Sequence, residues 1–90
     1  MSIKIDVSTF LRRYTNSQQV VEVSGSTVGQ CLNDLVKQFP SIEPGLFDKN
    51  GKLHSYIAIY VNGESTYPEE LAKPVKDGDE LHVIFLIGGG

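Results

Sequence analysis

Residues 77–90 read Asp77-Gly78-Asp79-Glu80-Leu81-His82-Val83-Ile84-Phe85-Leu86-Ile87-Gly88-Gly89-Gly90. Asp77-Gly78 is a turn signal, because glycine accepts the positive φ that tight turns demand. Leu81, Val83, Phe85 and Ile87 then share one face by period-two alternation, so Leu81 to Ile87 is expected to be the last strand. Three glycines follow it directly. A frayed end needs no particular composition and a strand needs no glycine after it. Without Cβ atoms the segment is thin enough to extend through a narrow channel. Three extended residues span about 10 Å. Gly90 then offers its α-carboxylate with no side chain to hinder attack.

Working back from this end, the other elements fall into place. Ile3, Ile5 and Val7 alternate with Lys4 and Asp6, the mark of a half-buried strand, and Val21 and Val23 flank Glu22 in a second. The polar segment Ser8 to Gln19 joins them as a long hairpin loop. Val28, Cys31, Leu32, Leu35, Val36 and Phe39 follow helical spacing. Thr27 and Gln30 form a capping-box pattern at its start, and Pro40 stops it. Gly29 costs about 1 kcal/mol against alanine inside a helix, so a close backbone neighbour is one reading of it. Ser41 to Ser55 reads as loop. Tyr56 to Val61 reads as a strand, Asn62-Gly63 as a type I′ turn, Glu64 to Thr66 as a short strand and Pro68 to Leu71 as one helical turn. This order predicts an α+β domain: a mixed sheet, one main helix packed on one face, and the first and last strands parallel at the centre. The first hairpin's loop and the glycine tail then lie at the same end of the sheet. The division is 1–87 for the folded domain and 88–90 for a flexible tail.

Composition limits the partners. Ninety residues make one domain. The net charge is -3, and residues 46–90 hold seven acidic groups against four basic ones. An acidic surface is a poor match for a phosphate backbone, so no nucleic acid is expected. No apolar run approaches the ~20 residues that span a membrane, and the N-terminal residues do not resemble a signal peptide, so the expectation is a cytoplasmic protein away from membranes. Glu69, Glu70, Asp77, Asp79 and Glu80 are either a solvated face or a collar that meets a basic partner.

Catalytic chemistry is hard to find. His54 and His82 lack cysteine or carboxylate partners at ligand spacing, so no metal site is expected. Asp48-Lys49-Asn50-Gly51 lacks the later ligands of a calcium loop and reads as a turn. Cys31 lies on the helix's apolar face and reads as packing. The expectation is a protein that is not an enzyme but is acted upon.

The turn Asp77-Gly78-Asp79-Glu80, the apolar last strand and the terminal Gly-Gly resemble the ThiS/MoaD family of ubiquitin-like sulfur carriers, over essentially the whole chain. The run Gly51-Lys52-Leu53-His54-Ser55-Tyr56-Ile57-Ala58-Ile59-Tyr60-Val61-Asn62, with Leu11-Arg12 and Tyr14-Thr15, is similar to the CysO-type carriers of cysteine biosynthesis. The resemblance implies a β-grasp fold. It implies that a MoeB/ThiF-like adenylating enzyme uses ATP and Mg to activate Gly90, which becomes a thiocarboxylate and donates sulfur. It also implies downstream partners: a PLP-dependent cysteine synthase and a JAMM-type metalloprotease that holds Zn. Those cofactors belong to the partners. Two other roles share the activation chemistry: a ubiquitin-like modifier joined to lysines through Gly90, and the small subunit of molybdopterin synthase. The family pattern ends in two glycines, so with Gly89-Gly90 as the functional pair, Gly88 replaces the small residue before it.

Gly88, Gly89 and Gly90 are therefore the segment expected to thread into a partner. Ile84 and Leu86 point away from the core beside that tail, where they either dock a partner or lie beneath a loop. Phe10, Leu11, Arg12 and Arg13 in the first loop are the other docking candidates, the arginines being either partners for acidic groups or simply solvated.

Overall fold

A computed structural model of the chain describes residues 2–85; Met1 and residues 86–90 lie outside that description. The chain opens with an antiparallel hairpin of β1 (Ile3–Val7) and β2 (Val20–Val23). Ile3, Ile5 and Val7 are fully buried, as their alternation requires. The hairpin leads into α1 (Val28–Gln38), whose Val28, Cys31, Leu32 and Leu35 press into the core. A short α2 (Glu43–Leu46) follows, then β3 (Ile57–Val61), β4 (Glu64–Ser65) and β5 (Glu80–Phe85). The five strands form one sheet in the order β2-β1-β5-β3-β4. β5 runs parallel to β1, with Ile5 opposite Leu81 and Val7 opposite Val83, so the first and last strands share the centre as the sequence predicts.

Local chemistry accounts for the boundaries. The Thr27 hydroxyl accepts the Gln30 backbone N–H at 3.1 Å, and the Gln30 side chain reaches back to the Ser26 N–H at 2.7 Å. That is the reciprocal capping box, with its return leg one residue early. Phe39 takes φ -135° and ψ 78°, outside the helical region that a following proline disfavours, and α1 ends. A Cβ on Gly29 would sit 2.9 Å from the Leu71 carbonyl oxygen, so a second backbone does approach the helix there. Asn62 and Gly63 have φ of 51° and 87°, as a type I′ turn needs.

Three expectations are corrected. Ser41 to Ser55 is not all loop: a 3-10 turn Pro40–Ile42 and then α2 put Ile42 and Leu46 fully in the core. Segments this short carry too few apolar residues for periodicity to register. The long hairpin loop contains a 3-10 helix, Thr9–Tyr14, which drops Leu11 into the core at 1% exposure. Leu11 is thus a packing residue and not a docking one. The helical turn expected at Pro68 to Leu71 lies at Glu70–Ala72. The expected last strand runs as far as Phe85 among the described residues; Leu86, Ile87, Gly88, Gly89 and Gly90 fall outside them.

Where β5 begins, hydrogen bonds tie the chain together. Asn62 donates its side-chain amide to the Asp79 carboxylate at 3.0 Å and accepts the Glu80 N–H at 3.0 Å. The other Asp79 carboxylate oxygen accepts the Lys76 N–H at 2.9 Å. Asp77 accepts the Ser2 N–H, and the Gly78 N–H donates to the Ser2 carbonyl at 2.9 Å. The Asn62 amide first, and the Lys76 N–H next, hold the Asp79 carboxyl below its ordinary value of 3.8. Of the five clustered acids, Asp79 is buried and held by these bonds, and Asp77 also ties down the N-terminal end of β1.

Candidate functional site

The site lies where β5 ends. β1 and β5 run out side by side, and the Thr9–Tyr14 helix folds over that end. The Phe10 ring stacks on Phe85, the last described residue, with centroids 4.1 Å apart and planes inclined by 28°. Ile57 pairs with Phe85 across the antiparallel ladder, which brings the preceding Tyr56 ring to 4.7 Å from Phe85. His54 stacks on Tyr56 at 4.7 Å and 11°. Its Nε2 lies 2.8 Å from the Pro44 carbonyl oxygen. A carbonyl only accepts, so Nε2 carries the proton and the ring is held in place. Phe10, Phe85, Tyr56 and His54 thus form a row of rings at the point where the chain continues to Leu86. Phe10 is 48% exposed and Tyr56 38% exposed.

The predicted docking residues separate into groups. Phe10 is exposed at this end. Arg12 donates its Nε–H to the Val7 carbonyl at 2.9 Å, so part of its guanidinium finishes the end of β1. Arg13 is exposed and lies 5.4 Å from the Tyr14 ring centroid. Among the described residues neither arginine has a salt bridge. Ile84 is 38% exposed on the sheet face away from α1, and Val20, 48% exposed, also stands outside the core. No described loop buries Ile84, which removes one of its two readings. Leu86 lies outside the described residues, as do Gly88, Gly89 and Gly90. The sequence reading missed Tyr56 and His54 as members of this end, although both stand in the run quoted above. The available signal was register: a strand starting at Ile57 and antiparallel to the last strand puts Tyr56 beside Phe85.

The remaining polar candidates have structural explanations. The Asp48 carboxylate accepts the Asn50 and Lys52 N–H groups at 2.8 and 3.1 Å. The Lys52 bond first, and the Asn50 bond next, lower its pKa. That is a turn motif. Cys31 is fully buried; burial first, then the charges of Asp34 and Asp79, push its pKa up, and a neutral thiol in a core is a poor nucleophile. Among the described residues no three His, Cys, Asp or Glu side chains converge to hold a metal, and no helix is long and apolar enough to cross a membrane. The described surface offers an apolar rim around a strand end, a geometry suited to being held by another protein.

A mixed five-stranded sheet in this order, with one long helix packed on it, is the ubiquitin-like β-grasp. The chain belongs to the ThiS family, whose model matches residues 5–90. It is 34% identical over 93 residues to the sulfur carrier protein CysO of Mycobacterium tuberculosis, with all of both chains covered. It is 35% identical over 71 residues to small archaeal modifier protein 1 of Haloferax volcanii, covering 78% of each. Its backbone superposes with a TM-score of 0.87 and 32% identity on a chain of the Amycolatopsis orientalis BexX/CysO complex, covering 98% of this chain and 99% of that one. The protein is a homologue of sulfur carriers with a ubiquitin-like role.

Proposed function

We propose that this chain carries sulfur on Gly90 as a thiocarboxylate and delivers it to a biosynthetic acceptor, with cysteine as the product. The full-length likeness to CysO supports this most directly. The Gly88-Gly89-Gly90 end directly after an apolar strand supports it chemically. The reaction begins when a MoeB/ThiF-like enzyme binds ATP and Mg. The Gly90 carboxylate oxygen attacks the α-phosphorus, pyrophosphate leaves, and an acyl-adenylate forms. A hydrosulfide-level sulfur adds to that carbonyl and AMP leaves, so one carboxylate oxygen is exchanged for sulfur. The thiocarboxylate sulfur would bond to a carbon acceptor supplied by a PLP-dependent cysteine synthase, leaving Gly90 acylated to the cysteine formed. A Zn-dependent JAMM protease would then hydrolyse that bond with water, releasing cysteine and restoring the Gly90 carboxylate.

This chain's own part is to present the tail and to be recognised. Residues 1–87 form the handle and 88–90 the threaded segment. Phe10, Arg13, Ile84 and Leu86 contact the partner around the tail, and Arg12 contributes whatever its bond to Val7 leaves free. The chain works in the cytoplasm and catalyses no step itself. Incubation of the purified chain with a MoeB/ThiF-like adenylating enzyme, ATP, Mg and sulfide tests the reading. Intact-mass analysis is expected to show one oxygen-for-sulfur exchange that requires Gly90. An unchanged mass while the enzyme loads a different carrier would contradict it. The likeness to small archaeal modifier protein 1 favours a second reading, in which Gly90 joins a target lysine through an isopeptide bond. Conjugates that survive a denaturing gel would identify that role.

A further inference from the structure

The loop that folds over the end of β1 and β5 is basic: residues 8–19 contain Arg12 and Arg13 and no acidic residue. Arg12 is the anchored one. Its backbone carbonyl accepts the Thr15 N–H at 3.0 Å, the Ser17 N–H at 2.9 Å and the Thr15 hydroxyl at 3.1 Å. Thr15 is itself fully buried, so this turn is fixed to the core. To bring the Ser17 N–H round, Asn16 and Ser17 take φ of 54° and 67°, the left-handed region that side chains other than glycine rarely adopt. The Arg12 side chain is anchored as well. Val7 donates its N–H to the Gln19 carbonyl at 2.7 Å, but the return bond of that antiparallel pair is missing among the described residues. The Arg12 Nε–H takes its place on the Val7 carbonyl, at 2.9 Å.

Held at both ends, Arg12 keeps a half-buried guanidinium whose two Nη groups have no partner among the described residues. Capping Val7 takes one N–H and leaves that pair unused. The pair stands beside the tail exit. β1 neighbours β5, and the 3-10 helix that carries Arg12 also lays Phe10 on Phe85. Asp77, Asp79 and Glu80 lie where β5 begins, at the other end of the strand. A chain of net charge -3 thus keeps two arginines without salt bridges, among the described residues, where its tail leaves.

We propose that Arg12 is a preset carboxylate clamp, whose Nη pair binds an aspartate or glutamate at the lip of the tunnel in the adenylating enzyme that loads Gly90. The inference rests on the sulfur-carrier reading above and names the chemistry its partner must present. Two parallel N–H groups of a guanidinium match the two oxygens of a carboxylate, which a lysine cannot reproduce. Because Arg12 is immobilised before docking, the contact costs little side-chain entropy. Arg13, exposed, adds attraction toward the same acidic lip. The clamp holds the base of the tail against the tunnel mouth, and the five residues from Leu86 to Gly90 can reach at most about 17 Å beyond it.

A MoeB/ThiF-like adenylating enzyme without nucleotide is the probe. The isotope-labelled full chain is titrated with it while the Arg12 guanidinium is followed by NMR, and loading of Gly90 is then followed by mass. A guanidinium gripped by a carboxylate stops rotating about its Cζ–Nη bonds, so its averaged Nη–H signals are expected to split on binding. Arg12→Lys is expected to raise Kd, and the KM for loading, about five- to tenfold with kcat unchanged, because one compact ammonium cannot cap Val7 and span a carboxylate together. If Arg12→Lys melts below the assay temperature, the signals of the unaltered chain decide alone. Signals that stay averaged, or an unchanged Kd in Arg12→Lys, overturn the clamp, while loading of Gly90 keeps the carrier reading standing. Splitting that begins only when ATP is added assigns the pair to a phosphate and overturns the clamp as well. Absence of both binding and loading overturns the carrier reading and this proposal together.

Discussion

Where β5 begins, Asn62, Asp79 and the Lys76 backbone are joined by directed hydrogen bonds, and each partner's geometry leaves little choice. Where β5 ends, the row Phe10, Phe85, Tyr56 and His54 does the joining, and much of the outer rings stays open to solvent. Hydrogen bonds specify a unique arrangement but have no residual affinity once satisfied. Half-exposed rings hold the fold while keeping apolar surface for a partner. One strand thus has an end that is finished and an end that is offered.

The largest effect tests whether the offered end also has a foundation. Leu11→Ala is expected to lower stability by about 2–5 kcal/mol, the cost of a core cavity. Denaturant unfolding followed by circular dichroism measures it. A loss near zero would return Leu11 to the docking surface. At the finished end, Asn62→Ala removes bonds on both sides of a turn and puts alanine, which tolerates the left-handed region less well than asparagine, at positive φ. The expected loss is about 2–3 kcal/mol by the same measurement.

The finished end also titrates. Asp79 has a lowered folded pKa, so its stabilisation is complete above the unfolded value near 4 and is lost as pH falls through the lower folded value. Asp48 acts in the same direction. Thermal melts from pH 6 to pH 2 are expected to show stability falling below pH 4, with a shallower fall in Asp79→Asn. Equal slopes for both proteins would mean that the Asn62–Asp79 bond does not form in solution. The smallest stability change belongs to the offered end: Phe10→Ala is expected to cost about 0.5–1.5 kcal/mol, the value of an aromatic pair at a half-exposed site. Its larger effect falls on partner affinity, read by calorimetric titration with the adenylating enzyme. Unaltered affinity would remove Phe10 from the contact surface.

The two ends also differ in how far the sequence reveals them. Asn62-Gly63 and the alternation through β1, β3 and β5 are local signals, and they place the sheet correctly. Thr27 and Gln30 announce the start of α1, and Pro40 its end. Leu11 was hidden because its burial depends on a 3-10 helix inside a polar loop, which periodicity does not detect. Ile42 and Leu46 were hidden for the same reason. The role of Asp79 arises from a partner 17 residues away, and a carboxylate in a charged cluster gives no sign of that bond. Tyr56 and His54 join Phe10 and Phe85 only through strand register.

The central claim concerns Gly90. The most direct measurement is the intact mass of the full chain after incubation with the adenylating enzyme, ATP, Mg and sulfide, beside a chain lacking Gly90. One oxygen-for-sulfur exchange in the full chain and none in the shortened one is the predicted result. The same exchange in both, or in neither while the enzyme loads another carrier, would contradict the account.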